Sequence, residues 1–475
     1  MNKIKQFWAN LRASLWFVPG LMLTFALGLA IGLIEIDSNV KSEWLADFPR
    51  LFGLGADGSR GMLTAIASSM LTVAALAFSL TLNSVAQASA QFTPRIFRNF
   101  MRDRANQFVL GYFVSVFAFC LVVLRTIRGG DELKFIPSLA VMTGLVLALG
   151  GILVLIFFIH HIADSLQITT ILDNITDETK ESVKNLFPEE LGKEATERGK
   201  ASAWRAEDVK NWIKISAREA GYVQSVDSNG LLEYAADNNL LIRMRLGIGQ
   251  FAAGGATLAE IAPDTEMANR IAALEPEKIE EIYDFFSLDR HRTIEQDAGF
   301  GIRQIVDIAL KALSPGVNDT TTAVNCIDNL GEIVGEIVRR RLPEKVRSKH
   351  GVPRVIIVAP DFNDYVETAF DQIRASGKAN RAIFERLLAT LTFLAERANT
   401  ESQLATLRKQ VELIGEFAEQ TLETDYEKEK VQAKLIDAKK VFPEKKESSP
   451  RFEDDGLTSS STYSNLEGSD SSPTR

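Results

Sequence analysis

Hydrophobic residues are concentrated in the first third of the chain, where four long stretches carry no charged side chain. A transmembrane helix needs about 20 consecutive apolar residues to cross the hydrocarbon core of a bilayer. All four stretches are close to that length or longer, so the pattern predicts four transmembrane helices. They cover residues 13–34, 61–94, 107–124 and 135–159.

The second stretch is longer than a bilayer requires. As a helix it would be about 51 Å long, whereas the hydrocarbon core is about 30 Å thick. One end must therefore leave the lipid. The polar sequence at 83–92 predicts that it is the C-terminal end.

Small polar residues recur along this second stretch at steps of four or seven positions, which places them on one side of a helix. Such a row most often allows helices in a membrane to approach each other closely. The alternative is that the row lines a hydrated pathway, where polar groups avoid contact with lipid. The row, called the polar stripe below, consists of Thr64, Ser68, Thr72, Ser79 and Asn83.

Basic residues are dense in the loop 94–106, whereas residues 35–60 carry more acids than bases. The positive-inside rule then places the N-terminus and the loop 94–106 in the cytoplasm of a bacterial inner membrane. Four spans return the chain to that side, so the C-terminus is expected there too. Arginines near the inner surface also attract anionic lipid, by about 1 kcal/mol each. The arginines concerned are Arg95, Arg98, Arg102 and Arg104.

Beyond the fourth stretch, charged residues are frequent and the periodicity changes. Apolar residues at near-heptad spacing predict a juxtamembrane helix, which is followed by short β-like runs and then by helical patterns with one strand at 354–360. The expected fold class is an α-helical membrane protein with four transmembrane helices and a cytoplasmic α+β domain, mainly helical with a small β-rich subdomain. The expected boundaries are 1–160 for the membrane domain, 161–200 for the juxtamembrane helix, 201–264 for the β-rich subdomain, 265–440 for the mainly helical domain and 441–475 for a disordered tail.

The composition narrows the classes of function. A net charge of −9 argues against binding of nucleic acid, which needs a clustered basic face. The two cysteines, Cys120 and Cys326, supply neither a disulfide framework nor a CxxC metal motif. The chain has neither a P-loop nor a G-x-S-x-G motif. The sequence therefore predicts no nucleic-acid partner, no metal and no cofactor, and it offers no motif for an enzyme.

A dense group of ionisable residues lies before and along an amphipathic helix near residue 300. Arg303 and Asp307, four positions apart, are placed to form an ion pair on the polar face of that helix. The alternative interpretation is a cytoplasmic ligand or hydrolytic site in which His291 acts as the base. The candidate ligand-site residues are His291, Arg292, Asp297, Arg303, Asp307, Ser314, Asn318 and Asp319.

The last three of these residues belong to the run SPGVNDTTT at 314–322. Pro315 and Gly316 suit the central positions of a type II turn, in which glycine supplies a positive φ. Asn318 or Asp319 is then placed to cap a helix that begins near Thr321. The run is therefore predicted to connect two helices. An anion at the free helix N-terminus is the alternative, and the charge of Asp319 opposes it.

Four segments resemble the bacterial predicted membrane proteins of domain of unknown function family 2254. They are the segments at 58–82, 91–113, 292–319 and 351–356, and the resemblance covers most of the chain to about residue 400. It implies a multi-pass membrane protein. It brings no established activity and no catalytic residue to carry over.

Together these patterns support two hypotheses about function. The first is an oligomeric channel or permeation-type protein, in which the second span lines the pathway and the cytoplasmic domain gates or assembles it. The alternative is a non-conducting membrane scaffold or sensor whose cytoplasmic domain recruits a partner. Both predict contact with the lipid bilayer and a homo-oligomer.

Overall fold

The computed structural model describes residues 16–39, 55–91, 103–129, 135–187, 212–263 and 276–442 of the 475. The expected disordered tail lies outside these residues, and so does most of the loop 94–106.

Four long apolar helices form the N-terminal part. They are α1 (Phe17–Asn39), α2 (Ala56–Gln91), α3 (Arg104–Thr126) and α4 (Ser138–Ser165). Each is long and apolar enough to cross a membrane. The predicted number of candidate spans is therefore confirmed, and the unusual length of the second span is confirmed by the 36 residues of α2.

Helix α3 is the centre of this bundle, because it packs against α1, α2 and α4. Small residues bring the helices close together. A Cβ at Gly111 would lie 2.9 Å from the Cα of Pro19, and one at Gly144 would lie 3.1 Å from Leu63. Close approach of this kind is how helices in a membrane gain packing energy, since lipid gives no hydrophobic drive between them.

The C-terminal part, residues 168–442, begins with α5 (Ile168–Leu186) directly after α4. The apolar seam of α5 is buried, and it packs against two helices of the same chain, α8 (Ala298–Ala312) and α9 (Thr320–Val338). Gly301 of α8 lies directly against Thr179 of α5 at this crossing. The helices that share this core are α8 (Ala298–Ala312), α9 (Thr320–Val338), α10 (Phe362–Ser376), α11 (Arg381–Ala395), α12 (Glu401–Thr421) and α13 (Asp425–Lys440).

Two small sheets lie beside the helical core. Their strands are β1 (Ile213–Ser216), β2 (Gly221–Val226), β3 (Leu240–Met244), β4 (Phe251–Ala252), β5 (Thr257–Pro263), β6 (Phe286–Asp289), β7 (Val346–Lys349) and β8 (Val352–Ile356). The five-stranded sheet has the order β1-β5-β3-β8-β7, in which the β3–β8 pair is parallel and the other pairs are antiparallel, and the three-stranded sheet has the order β4-β2-β6. Two short helices accompany the sheets, α6 (Ser228–Asp237) and α7 (Pro276–Tyr283).

The structure confirms a mainly helical C-terminal part with small sheets. It also shows that the expected strand at 354–360 begins two residues earlier, as β8, and pairs with β3. Strands distant in sequence therefore complete the sheet formed by β1, β3 and β5. Helix α6 interrupts a region for which only strands were predicted. Its N-terminus is capped by Asp227, whose carboxylate accepts a hydrogen bond from the backbone N–H of Gly230.

Candidate functional site

The polar stripe of α2 lies on the outer surface of the four-helix bundle. All five of its side chains are exposed. The side chains of α2 that pack in the bundle are Leu63, Ile66, Ala67, Met70, Ala74 and Ala77. At about 100° per residue these two rows lie on roughly opposite sides of the helix. Among the described residues, therefore, no neighbouring helix covers the stripe.

The stripe is as long as a membrane is thick. From Thr64 to Asn83 the helix rises about 29 Å, and the hydrocarbon core measures about 30 Å. Large apolar side chains flank it on both sides, with Leu71, Leu76 and Phe78 each about half exposed. Within the stripe, the hydroxyl of Thr72 donates to the backbone carbonyl of Ser68 at 2.9 Å. The outer surface of α2 thus consists of a polar band between two apolar borders.

The C-terminal end of α2 reaches the C-terminal part of the chain. Val85 is buried in the same hydrophobic core as Leu172 and Ile175 of α5. Asn83 therefore lies where the bundle meets that core. The emergence of α2 from the lipid at this end stays a prediction, and the contact of Val85 with the C-terminal part supports it.

Of the four arginines predicted to contact anionic lipid, Arg95, Arg98 and Arg102 lie outside the described residues. Arg104 is the first residue of α3 and is exposed. Asp103 caps that helix, because its carboxylate accepts a hydrogen bond from the N–H of Ala105 at 2.9 Å. The same carboxylate contacts the imidazole of His161 on α4 at 2.5 Å.

The opposite end of α4 is also held by a carboxylate from another span. Asp37, near the end of α1, accepts hydrogen bonds from the N–H groups of Leu139 and Ala140 at 3.1 and 3.2 Å. These N–H groups belong to the first turn of α4, where no preceding carbonyl is available to them. No local sequence pattern predicts this role of Asp37, because residues 37 and 139 are far apart in the chain.

Part of the candidate ligand site is a compact ion pair at the start of α8. Asp297 caps the helix through the N–H of Phe300 at 3.0 Å and pairs with Arg292 at 2.7 Å. Burial raises the pKa of Asp297, and the charge of Arg292 offsets only part of that effect. Gly249 has a positive φ of 82°, and a side chain there would collide with Asp297 and Arg292. His291 is exposed beside them, and its backbone carbonyl accepts a hydrogen bond from Gln224.

The predicted pair of Arg303 and Asp307 is present on α8, with Nε and Oδ1 2.9 Å apart. Asp319 is the N-cap of α9, since its carboxylate accepts a hydrogen bond from the N–H of Thr322 at 3.0 Å. This hydrogen bond lowers the pKa of Asp319. The interpretation of 314–322 as a helix–helix connection with an Asp319 cap therefore agrees with the structure.

The predicted turn type is wrong. Gly316 does not have a positive φ; the left-handed conformation is at Asn318, with φ 49°. The amides of Val317 and Asn318 both bond to the carbonyl of Ser314, and the amide of Asp319 bonds to the carbonyl of Ala312. Left-handed Asn is tolerated because its short polar side chain bonds locally, so the chain reverses two residues later than expected.

These residues do not form one site. Asp297 and Asp319 lie at opposite ends of α8 and its connection, and α8 alone is about 22 Å long. Among the described residues, no three His, Cys, Asp or Glu side chains are grouped so as to hold a metal ion. The candidate residues therefore make three separate arrangements. These are the Asp297 cap of α8 with its Arg292 ion pair, the Arg303–Asp307 ion pair, and the Asp319 cap of α9.

Comparisons with known proteins agree with the helical pattern. A family model described as "Predicted membrane protein (DUF2254)" matches residues 12–392. Uncharacterized proteins of Mycobacterium tuberculosis and Mycobacterium bovis are 31% identical over 426 residues, which is 87% of this chain and 78% of each relative. No solved structure matches the chain.

Proposed function

The chain belongs to the DUF2254 family of predicted membrane proteins, and on that premise we propose that several copies assemble into a permeation pathway lined by the polar stripe of α2. The observation that carries the proposal is the exposure of all five stripe side chains on the outside of a single bundle. Polar side chains are rare at lipid-facing positions, and they face a bundle interior or a water-filled cavity instead.

The dimensions of the stripe favour a pathway over a local contact. A contact between two helices that cross at an angle involves a short segment around the crossing point. The stripe extends for about 29 Å, which is nearly the whole hydrocarbon core. Small or polar side chains occupy the row over that whole length, with Ala75 between Thr72 and Ser79, and a hydrated pathway needs such a row on each of its walls.

One copy of α2 supplies only one wall, so the pathway requires a symmetric assembly. In that arrangement the stripes face a common axis, and Leu71, Leu76 and Phe78 at the borders pack against neighbouring copies. The proposal therefore includes a homo-oligomer whose subunits meet along α2.

The C-terminal part is connected to the bundle at two places, which supports a role in gating or assembly. Val85 at the end of α2 is buried in its core. Helix α4 continues into α5 after only two residues, Leu166 and Gln167. A movement of the C-terminal part would thus be transmitted directly to the span that carries the stripe.

We also propose a bacterial inner membrane as the location, with both termini in the cytoplasm. The support is the density of arginine in the loop 94–106. Arg104, exposed at the start of α3, is then placed at the inner surface, where it attracts anionic lipid together with Arg95, Arg98 and Arg102.

The test is flux through purified protein in liposomes, measured under voltage, membrane tension and a pH gradient. Replacing Ser68, Thr72 or Asn83 by Leu is expected to abolish flux, because each change puts an apolar side chain into the pathway. Ser69→Leu is the matched control. Ser69 is also exposed, but it lies about 100° further round the helix, so its variant should conduct like the unmodified chain.

Cross-linking tests the assembly separately from conduction. The natural cysteines Cys120 and Cys326 are buried, so a Ser68→Cys variant presents a new accessible thiol. Disulfide-linked dimers are expected for Ser68→Cys and not for Ser69→Cys. Cross-linking without any flux would support the alternative function, a non-conducting scaffold or sensor. If the variants at Ser68 and Ser69 behaved alike in both the flux and the cross-linking assays, the proposal that the polar stripe lines a pathway would be contradicted.

A further inference from the structure

A cavity of about 870 Å³ lies in the C-terminal part, between the two sheets and the helical core. Its volume is within the range of about 300–1,000 Å³ that is typical of small-molecule sites. Residues of both sheets form its wall, together with the end of α5, the segment before α8 and Tyr365 of α10. The cavity therefore exists only where these elements meet in the folded chain.

The wall of this cavity is acidic. Among the described residues it carries four carboxylates and a single basic side chain, Arg347 of β7. Arg292, which is not part of the wall, pairs with Asp297 at 2.7 Å and balances its charge. The wall still has more negative than positive charge, and this excess attracts a cation. The four carboxylates are those of Asp227, Asp284, Glu295 and Asp297.

These carboxylates are spread along the wall. In the described part of the chain, no three His, Cys, Asp or Glu side chains are grouped so as to hold a metal ion. Asp227 caps α6 by accepting from the amide of Gly230 at 3.0 Å, and a carboxylate can accept further hydrogen bonds beside such a cap. Glu295 is exposed, and its carboxylate forms no ion pair with a described residue. The wall thus offers separate acceptors for several positive charges.

Tyr365 contributes a polar group that is buried at the wall. Tyr365 is only 4% exposed, and its ring packs against Phe187 at the end of α5. Its hydroxyl makes no hydrogen bond with any described residue. Burial and the charge of Asp297 raise the pKa of this phenol, so the hydroxyl stays protonated. A buried hydroxyl without a partner is costly, and an N–H donor within the cavity would satisfy its oxygen.

Apolar side chains also line the cavity. Met244, Ile248 and Ile357 contribute aliphatic groups, and Tyr283 and Phe285 contribute aromatic rings. Such groups pack well against methylene groups and give nothing to a hydrated metal ion. Separated carboxylates combined with apolar surface therefore match a ligand whose ammonium groups are joined by aliphatic chains.

We propose that this cavity binds a linear aliphatic polyamine, whose ammonium groups are held by the carboxylates of the wall and by the hydroxyl of Tyr365. Each primary ammonium group donates three hydrogen bonds. Those to carboxylates are charge-assisted and are about twice as strong as hydrogen bonds between neutral groups. The proposal does not depend on the permeation function.

The position of the cavity gives the ligand a direct link to the membrane helices. Asn185, Leu186 and Phe187 of its wall close the C-terminal end of α5, and α5 follows α4 in the chain. Phe187 is also the residue on which the ring of Tyr365 packs. Ligand binding at Tyr365 therefore contacts the segment that joins the bundle to the C-terminal part.

The test is calorimetric titration of the full chain in a non-ionic detergent with spermidine, putrescine and Mg²⁺ as separate probes. Spermidine is expected to saturate the protein and to bind more tightly than putrescine, because it carries one more positive charge. Mg²⁺ has the same charge as putrescine and should bind more weakly than it does. Absence of saturation by both amines at millimolar concentrations, or binding of Mg²⁺ as tight as that of putrescine, would overturn the proposal.

A charge-removing variant locates the binding. Glu295→Gln should weaken spermidine binding about tenfold, since a charge-assisted hydrogen bond is lost. Glu233→Gln is the matched control. Glu233 is exposed on α6 and is not part of the wall, so its variant should bind normally. Equal affinities of the two variants would refute the role of the acidic wall.

A second variant removes only the buried hydroxyl. Tyr365→Phe keeps the aromatic ring and should weaken spermidine binding about three- to tenfold. Tyr222→Phe on β2, outside the wall, is its control and should bind normally. Because Glu295 is exposed, Glu295→Gln decides the question if Tyr365→Phe fails to fold. Unchanged affinity in both Glu295→Gln and Tyr365→Phe would refute the site.

Discussion

The carboxylate of Asp103 contacts the imidazole of His161 at 2.5 Å, and this contact joins the start of α3 to the end of α4. Both side chains are about three-quarters buried. Asp103 also caps α3 through Ala105. One carboxylate thus stabilises a helix end and a helix–helix contact at the same time.

Replacement of Asp103 by Ala should therefore destabilise the bundle more than replacement of His161 by Ala. The cap contributes about 1 kcal/mol, and the hydrogen bond between the two side chains adds to it. Thermal unfolding in detergent measures both variants and the double variant. The neighbouring His160, which is mostly exposed and faces Asp164, is the control, and His160→Ala should change stability little. Additive effects of the Asp103 and His161 changes would contradict the coupling.

Asp37 is expected to stabilise the packing of α1 on α4. Its carboxylate accepts from two otherwise unpaired N–H groups of α4, so Asp37→Ala should cost about 1–2 kcal/mol. Limited proteolysis or unfolding in detergent reports the loss. The side chain of Glu35, on the same helix, accepts a hydrogen bond from the nearby Asn39, and Glu35→Ala is the matched control. Equal losses of stability in Asp37→Ala and Glu35→Ala would show that the capping of α4 by Asp37 makes no specific contribution to stability.

Gly249 should be far less tolerant of substitution than Gly255. Both have a positive φ, 82° and 81°, so an Ala at either position costs about 1–2 kcal/mol in backbone strain. Gly255 has no atom within 4 Å of a new Cβ, whereas Gly249 lies against Asp297 and Arg292. Gly249→Ala must also displace that ion pair. Chemical denaturation measures the free energy of unfolding of Gly249→Ala and Gly255→Ala. A smaller loss of stability in Gly249→Ala would contradict the close contact of Gly249 with Asp297 and Arg292.

Stability should fall in acid partly through Glu260. Burial by itself raises the pKa of this carboxyl, but hydrogen bonds from Arg243 and Arg245 outweigh it, and the pKa is lowered below its ordinary value of 4.5. A lowered pKa stabilises the folded state above pH 4.5, and that contribution is lost as the pH falls through the folded-state pKa.

Glu260→Gln should therefore reduce stability at neutral pH by about 2 kcal/mol and flatten its decline in acid. Denaturation midpoints between neutral and acidic pH measure both effects. The exposed Glu280, which pairs with Arg218 on the surface, is the control, and Glu280→Gln should follow the unmodified chain. If the stability of Glu260→Gln fell as steeply with decreasing pH as that of the unmodified chain, the ion pairs of Glu260 with Arg243 and Arg245 would be ruled out as a cause of acid sensitivity.

Local patterns in the sequence were sufficient for much of the helical architecture. The four spans follow from the length of the uncharged stretches, and the Arg303–Asp307 pair and the Asp319 cap follow from spacings of three or four residues. The turn at 314–319 was mispredicted because Gly and Asn both adopt positive φ, and the neighbouring helix ends decided which one does so.

By itself, the sequence determined that four apolar segments form long helices and which residues share a helical face, because hydrogen bonding and side-chain periodicity in a helix act over four residues. Only the tertiary structure decided that the polar stripe faces away from the bundle, that Asp37 caps α4 and that Arg347 lines a cavity. Those relationships join residues dozens of positions apart, and they depend on how packed surfaces meet, which no local spacing encodes.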